Sequence, residues 1–109
     1  MRDNLSSGAL TETTLLVLLS LYDELHGYGV KLFIEERTEG RVKLGMGTLY
    51  GAINNLVKKS WIVESSRDNG KVNYRITPLG KEIVKSEEER LEKLQVLIKD
   101  IRSAHHEKN

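Results

Sequence analysis

Residues 46–59 read MGTLYGAINNLVKK, and their apolar side chains recur at the spacing of an α-helix. One stripe of the predicted helix is apolar and contains Leu49, Ala52, Ile53, Leu56 and Val57. The opposite stripe is small or polar and contains Gly47, Gly51, Asn54 and Lys58. Because no bulky apolar side chain on the second stripe needs burial, that face can approach another surface closely.

A β-hairpin is predicted directly after this helix. Residues 61–64 and 71–77 are rich in β-prone side chains, and Asn69-Gly70 between them is a pair that two-residue hairpin turns favour. Such a turn fixes the register of the two strands. The expected cross-strand pairs are Val63 with Ile76 and Glu64 with Arg75. The expected tip residues are Arg67, Asn69 and Lys71.

Positive charge is concentrated in the same segment. Residues 1–40 have a net charge of −4 and residues 76–109 are neutral, whereas residues 41–75 carry seven basic and two acidic side chains, a net charge of +5. Phosphate binding depends on such local density rather than on the charge of the whole chain. A polar helix followed by a basic hairpin is the arrangement with which a winged helix-turn-helix binds duplex DNA. A solvated basic surface is the alternative that charge alone leaves open.

Two helices are predicted before this unit. Residues 10–25 contain five consecutive apolar residues and predict a helix of about four turns, with an N-cap at Ser6, Ser7 or Thr11. An apolar run of that width needs packing partners on two sides, which favours burial against a second subunit. The two glycines of residues 26–29 predict a turn. A second helix is predicted to follow and to end near Thr38, with Gly40 as its stop. Residues 41–44 predict a short strand or an extended connection.

The last predicted helix begins with Thr77 as N-cap and Pro78 at the first position, and it continues to about Ala104. Its apolar residues follow a seven-residue repeat that is broken at Glu87. A helix of this length cannot lie wholly on so small a core, so we expect it to pack against the first helix of a partner in a two-fold dimer. A helix folded back on its own domain is the alternative. The expected dimer-interface residues are Leu15, Leu16, Leu19, Leu91, Leu94, Ile98 and Ile101.

Three motifs in this order resemble the PadR family of bacterial transcriptional regulators. They are HGYGV at 26–30, GTLY at 47–50 and NYRITPLG at 73–80, and the resemblance spans about residues 5–81. It implies a winged helix-turn-helix that binds operator DNA as a homodimer, with a single C-terminal dimerisation helix as in the shorter subfamily, whose members include multidrug-responsive repressors. It also implies that Thr48 and Tyr50 contact phosphate or bases.

The chain departs from the family pattern at three places. Gly51 stands where a proline is common, and the family commonly has a glycine near Ser60. The last helix also lacks the tryptophan with which some relatives stack flat ligands across the dimer axis. Taken together, the candidate DNA-binding residues are Lys43, Gly47, Thr48, Tyr50, Gly51, Asn54, Asn55, Lys58, Arg67, Asn69 and Lys71.

We therefore expect a mainly α-helical fold with a small β-hairpin, in which residues 1–78 form a winged helix-turn-helix and residues 79–109 form a dimerisation helix and tail. The expected function is a DNA-binding regulator, a repressor that binds a pseudo-palindromic operator as a homodimer and is released by a small hydrophobic effector at the dimer interface. The alternative is a winged-helix module that binds protein and no DNA.

Other classes of function lack a matching pattern. The chain has no cysteine and no apolar span of membrane length, so we expect a cytoplasmic protein without a membrane partner. His26 is interpreted as a capping or packing residue, and His105 and His106 as part of a solvated tail. We expect neither catalysis nor a metal or other cofactor.

Overall fold

The computed structural model describes residues 8–107, which form four helices and a three-stranded antiparallel sheet. In chain order the elements are α1 (Glu12–Ser20), β1 (Leu25–His26), α2 (Gly27–Arg37), α3 (Met46–Lys58), β2 (Ile62–Asp68), β3 (Lys71–Ile76) and α4 (Pro78–Glu107). The strands lie in the order β1-β3-β2. The predicted fold class, mainly α-helical with a winged helix-turn-helix and a long last helix, is confirmed.

Helix α1 is shorter than the predicted four turns. Thr11 is its N-cap and accepts a 3.1 Å hydrogen bond from the Thr14 amide, whereas the other two candidate caps lie outside the described residues. The helix ends at Ser20 because the Leu21 carbonyl instead accepts a 2.8 Å hydrogen bond from the Ile76 amide. A tertiary contact with β3 therefore ends α1 at Ser20, although the apolar pattern of the sequence continues to residue 25.

The predicted turn at residues 26–29 is wrong. Gly27, Tyr28 and Gly29 form the first turn of α2, and the Nδ1 atom of His26 caps it by accepting a 3.1 Å hydrogen bond from the Gly29 amide. The capping role expected of His26 is confirmed. Residues 25–26 also pair with β3 as a third strand that the sequence did not predict. Residues 41–44 form the extended connection rather than a strand.

The hairpin contains a β-bulge that changes its register. Next to the turn the pairing is as expected, with Asp68 opposite Lys71. One extra residue in β2, Ser65, then shifts the rest of the ladder. The predicted pairs of Val63 with Ile76 and Glu64 with Arg75 are therefore wrong. The observed pairs are Val63 with Arg75 and Glu64 with Tyr74.

One apolar core joins α1, α2, α3 and the sheet. Its buried members are Val17, Leu18, Leu21, Val30, Ile34, Leu49, Ile53, Leu56, Ile62, Tyr74 and Ile76. The apolar stripe predicted for α3 supplies three of these residues, so the opposite face of α3 is turned to the outside.

Helix α4 starts as the sequence predicts and then leaves the core. Thr77 caps it by accepting a 3.0 Å hydrogen bond from the Gly80 amide. Gly80 lies against β2, where an added Cβ would stand 2.2 Å from the Trp61 carbonyl oxygen, so only glycine fits. Residues 91–106 are exposed, and the molecule extends 62 Å along its longest axis. In this chain α4 does not fold back on its own domain. Every helix between residues 8 and 107 is too short or too polar to span a lipid bilayer.

Candidate nucleic-acid interface

The outer face of α3 is open, as the sequence predicts. Its exposed residues are Gly47, Thr48, Tyr50, Gly51, Asn54, Asn55 and Lys58. A Cβ atom added at Gly47 or Gly51 would meet nothing within 4 Å. The N-cap is Gly45, which supplies no side-chain acceptor, so the first-turn amides of α3 have no acceptor among residues 8–107. Such amides readily bind an anion.

A cleft of about 260 Å³ separates the start of α3 from the tip of the hairpin. Its lining residues are His26, Tyr28, Tyr50, Gly70, Lys71, Val72 and Tyr74. The cleft therefore brings together Tyr50 and Lys71, two candidate residues that are 21 positions apart in the sequence. Helix α3 and the β2–β3 hairpin, the wing of this fold, therefore border one continuous surface.

Tyr50 is held in this cleft by a glycine on α2. The Tyr50 ring packs on the backbone of Gly27, where a Cβ atom would stand 2.3 Å from the phenolic oxygen. Tyr74 lies in the core beneath, and burial raises its pKa, an effect that the nearby Glu64 carboxylate reinforces. The Tyr74 hydroxyl is therefore neutral at physiological pH.

Tyr28 is a candidate residue that the sequence analysis missed. Its side chain is 52% exposed, and it lines the same cleft as Tyr50 and Lys71. A phenol at the rim of a basic cleft can donate a hydrogen bond to phosphate. The glycine-tyrosine-glycine motif contains this tyrosine, but a connecting turn at residues 26–29 would not place it beside α3 and the hairpin. Its position follows from the start of α2 at Gly27.

Carboxylates neutralise part of the positive charge. Arg41 pairs with Glu12 of α1, and the Arg75 guanidinium lies 4.0 Å from the Glu24 carboxylate. Arg67 lies 3.4 Å from Glu64, but both groups are exposed, so this contact is weak and easily exchanged for phosphate.

Lysines supply the remaining positive charge. The Lys59 ammonium lies 4.7 Å over the Trp61 ring. Within residues 8–107, Lys43, Lys58 and Lys71 form no ion pair. These three unpaired lysines are all among the candidate residues that the sequence identified.

Glu24 fixes the base of the wing. Its carboxylate accepts hydrogen bonds from the hydroxyls of Ser65 and Ser66, the latter at 2.7 Å, and Ser66 in turn accepts one from Asn73 at 3.1 Å. The hydrogen bond from Ser65, then that from Ser66, lowers the pKa of Glu24. Because Ser65 is the bulge residue, Glu24 ties the irregular point of β2 to the segment that follows α1. The orientation of the wing therefore depends on a contact that is distant in sequence.

The expected dimer-interface residues are half-buried or exposed in the single chain. Leu15 and Leu16 are partly covered, while Leu19, Leu91, Leu94, Ile98 and Ile101 are 39–51% exposed. A groove of about 360 Å³ runs between α1 and α4 beside them, lined by Leu15, Leu19, Tyr22, Val84, Glu88 and Leu91. Several large apolar side chains exposed on the same helix are typical of an interaction site.

Residues 15–86 match the sequence model of the transcriptional regulator PadR-like family. No curated protein matches the chain. Among solved structures, a transcriptional regulator from Clostridium thermocellum is 24% identical, with a TM-score of 0.70, and the match covers 90% of this chain and 97% of that one.

Two similar structures are PadR family regulators. The one from Eggerthella lenta is 19% identical with a TM-score of 0.73, covering 90% of this chain and 85% of that one. The one from Clostridium difficile is 18% identical with a TM-score of 0.69, covering 84% of this chain and 98% of that one. At these identities the similarity establishes the fold.

Proposed function

Because the chain belongs to the transcriptional regulator PadR-like family, we propose that it is a DNA-binding repressor that acts as a homodimer on a pseudo-palindromic operator. The observation that carries this proposal is the shared cleft between α3 and the wing, with unpaired lysines on both elements. A protein that acts on DNA in this way would work in the cytoplasm.

In this proposal α3 enters the major groove and reads base edges. Asn54 and Asn55 are exposed, and an asparagine amide can pair with adenine through both of its polar atoms. Gly47 and Gly51 allow the backbone to approach the bases, because open space surrounds both. Thr48 and the first-turn amides bind a phosphate at the helix start.

Basic residues around α3 position the protein on the phosphate backbone. Lys43 and Lys58 lie before and at the end of the helix, and the wing tip adds Arg67, Asn69 and Lys71. Contacts of this kind supply affinity and register rather than sequence preference. Two copies related by a two-fold axis would place their α3 helices in successive major grooves about 34 Å apart.

The proposed division of labour assigns DNA binding to residues 1–78 and dimerisation to residues 79–109. It is supported by the burial pattern, since the core lies in the first segment and the exposed half of α4 in the second. A small hydrophobic effector would bind in the groove between α1 and α4, whose volume of about 360 Å³ and apolar lining suit such a ligand. By changing the angle between the two wings of the dimer, the effector would prevent both DNA half-sites from being matched at once, and the affinity for the operator would fall.

Fluorescence anisotropy with the DNA upstream of the chain's own gene tests the proposal. Affinity should fall steeply with salt, and replacing Lys58 or Lys71 with alanine should flatten the slope of log K against log salt by about 2 per dimer, since each phosphate contact contributes about 0.9. Lys85→Ala, on the exposed side of α4, removes the same charge and should leave the slope unchanged. Duplex binding that does not depend on salt would count against the proposal, and no binding to duplex DNA would favour a protein-interaction module instead.

A further inference from the structure

We propose that Lys31 is a positioning residue for DNA recognition: it fixes the main chain that leads into α3 and does not itself contact DNA. This role rests on the proposed function and adds to it a residue outside the candidate interface. The Lys31 ammonium, on α2, donates a 3.0 Å hydrogen bond to the carbonyl of Leu44, which directly precedes the N-cap Gly45. A basic side chain next to α3 therefore holds protein backbone rather than a phosphate.

The segment that leads into α3 has few other fixed points. For residues 43 and 44, the hydrogen bond from Lys31 is the only one found within residues 8–107. The N-cap Gly45 adds no side-chain hydrogen bond to the helix start. The place where α3 begins relative to α2 therefore depends on the contact with Lys31 and on the packing of the partly buried Leu44 against the core.

Glu35 orients the lysine. Its carboxylate pairs with the Lys31 ammonium, and only 24% of the Lys31 side chain and 26% of the Glu35 side chain are exposed. The lysine precedes the glutamate by four residues on α2, which is the less favourable order for an isolated helix because both charges oppose the helix dipole. The pair therefore contributes little to α2 itself. The Glu35 carbonyl also accepts a 2.8 Å hydrogen bond from the Gly40 amide, so the same residue holds the chain where α2 ends.

Lys31 differs from the lysines of the candidate interface in its surroundings. Lys43 and Lys58 are exposed and form no ion pair within residues 8–107. Lys31 and Glu35 together form a neutral pair, so DNA binding should release no counterion from them. The salt dependence of DNA affinity should therefore depend on Lys43 and Lys58 and not on Lys31.

The position of α3 matters more for base contacts than for phosphate contacts. An asparagine amide such as that of Asn54 pairs with a base through two hydrogen bonds at once, and such an arrangement must be held to within about 0.5 Å. A lysine side chain is long and flexible, so it reaches a phosphate from many positions. Releasing the Leu44 carbonyl should therefore weaken binding to the operator far more than binding to unrelated DNA.

Lys31→Met tests this role, because it removes the ammonium and keeps a long apolar side chain. In fluorescence anisotropy its affinity for the DNA upstream of the chain's own gene should fall by roughly tenfold, while its affinity for an unrelated duplex and the slope of log K against log salt should stay close to wild type. Lys43→Met, the same substitution at an exposed candidate contact, should weaken binding to both duplexes and flatten the slope by about 2 per dimer. A Lys31→Met protein that behaves like Lys43→Met would overturn the positioning role.

A double variant separates positioning from stability. Lys31→Met combined with Glu35→Met replaces the partly buried ion pair by apolar side chains, so its free energy of unfolding in urea should be close to wild type. The Leu44 carbonyl still lacks its donor, so the preference for the operator over unrelated DNA should remain low. Recovery of that preference in the double variant would show that Lys31 acts through stability alone and would refute the proposal.

Hydrogen exchange tests the same contact without DNA. The Leu49 amide donates a 3.0 Å hydrogen bond to the Gly45 carbonyl in the first turn of α3. In Lys31→Met this amide should exchange roughly tenfold faster, because a hydrogen bond from a charged donor is lost beside it. Unchanged exchange would overturn the role of Lys31 while DNA binding by the wild type stands. If the wild type bound no DNA, the proposed function would fail, and the exchange rates would still decide whether Lys31 holds the start of α3.

Discussion

The phenol ring of Tyr50 lies against the backbone of Gly27, so closely that a methyl group at position 27 would stand 2.3 Å from the tyrosine hydroxyl. Gly27 is buried at the start of α2, and Tyr50 is 40% exposed on α3. The contact ties the position of a candidate DNA-binding side chain to a glycine in another helix. It also shapes the cleft that α3 shares with the wing.

Gly27→Ala should displace the Tyr50 ring, because the methyl group overlaps three of its atoms. Because the half-exposed ring can move away from the methyl group, we expect the free energy of unfolding to fall by only about 1 kcal/mol, whereas the DNA affinity should fall through the displacement of Tyr50. Urea unfolding and anisotropy measure the two effects. Gly29→Ala, where the nearest contact is an ordinary 3.4 Å, is the control and should disturb DNA binding less. Wild-type DNA affinity in Gly27→Ala would exclude a role for the Tyr50 position.

Gly51→Ala should separate stability from DNA binding. The site is exposed, in the middle of α3, and an added Cβ meets nothing within 4 Å. Alanine should therefore raise the free energy of unfolding by about 1 kcal/mol through helix propensity alone. If α3 approaches DNA along this face, the same methyl group should lower operator affinity without altering the salt slope, because no charge changes. A more stable protein with unchanged affinity would contradict close approach at Gly51.

Local signals account for what the sequence predicted well. The Asn69-Gly70 pair fixes the hairpin turn, Thr77-Pro78 fixes the start of α4, and the apolar repeat of α3 fixes which of its faces is buried. Each of these signals acts within a few residues. They were sufficient to predict the fold class and to place the candidate residues of α3 on an exposed face.

Contacts between distant segments account for what the sequence did not predict. The Glu24 carboxylate accepts a hydrogen bond from the bulge residue Ser65, which lies 41 positions further along the chain. The bulge shifts the register that the turn alone would set. Pairing of His26 with Asn73 in β3 makes a strand where the two following glycines suggested a turn. Tyr28 was missed for the same reason. Its position in the cleft depends on the pairing of residues 25–26 with β3, which positions the start of α2.

Ser60→Gly should stabilise the protein. Ser60 follows the C-cap of α3 with a φ of 64°, where its amide donates to Val57 and the next amide, of Trp61, donates to Leu56. This is the Schellman arrangement, which favours glycine, the residue that the family commonly has near this position. We expect the free energy of unfolding to rise by about 1 kcal/mol in urea denaturation. Ser60→Ala keeps the unfavourable backbone geometry and should give no such gain. Equal effects of the two changes would argue against backbone strain as the cause.

Glu87 should make the junction of α1 and α4 sensitive to acid. Its buried carboxylate accepts hydrogen bonds from Arg90 and from the Leu10 amide, and the Arg90 contact lowers the pKa of Glu87 in the folded protein. A lowered folded-state pKa means that the stabilisation is present at neutral pH and is lost as the pH falls through that value.

Glu87→Gln should therefore reduce the free energy of unfolding by about 1–3 kcal/mol at neutral pH, because it removes the charge that pairs with Arg90. The deficit should shrink as the pH falls below the usual titration range of a glutamate, because the wild-type carboxylate with its lowered pKa then becomes protonated as well. Urea unfolding of the wild type and the variant at a fixed protein concentration, at neutral pH and at acid pH, measures this deficit. Glu89→Gln, on the exposed side of the same helix, should change little at either pH. A deficit that stays constant with pH would mean that packing at position 87, rather than its charge, holds α4 to the start of α1.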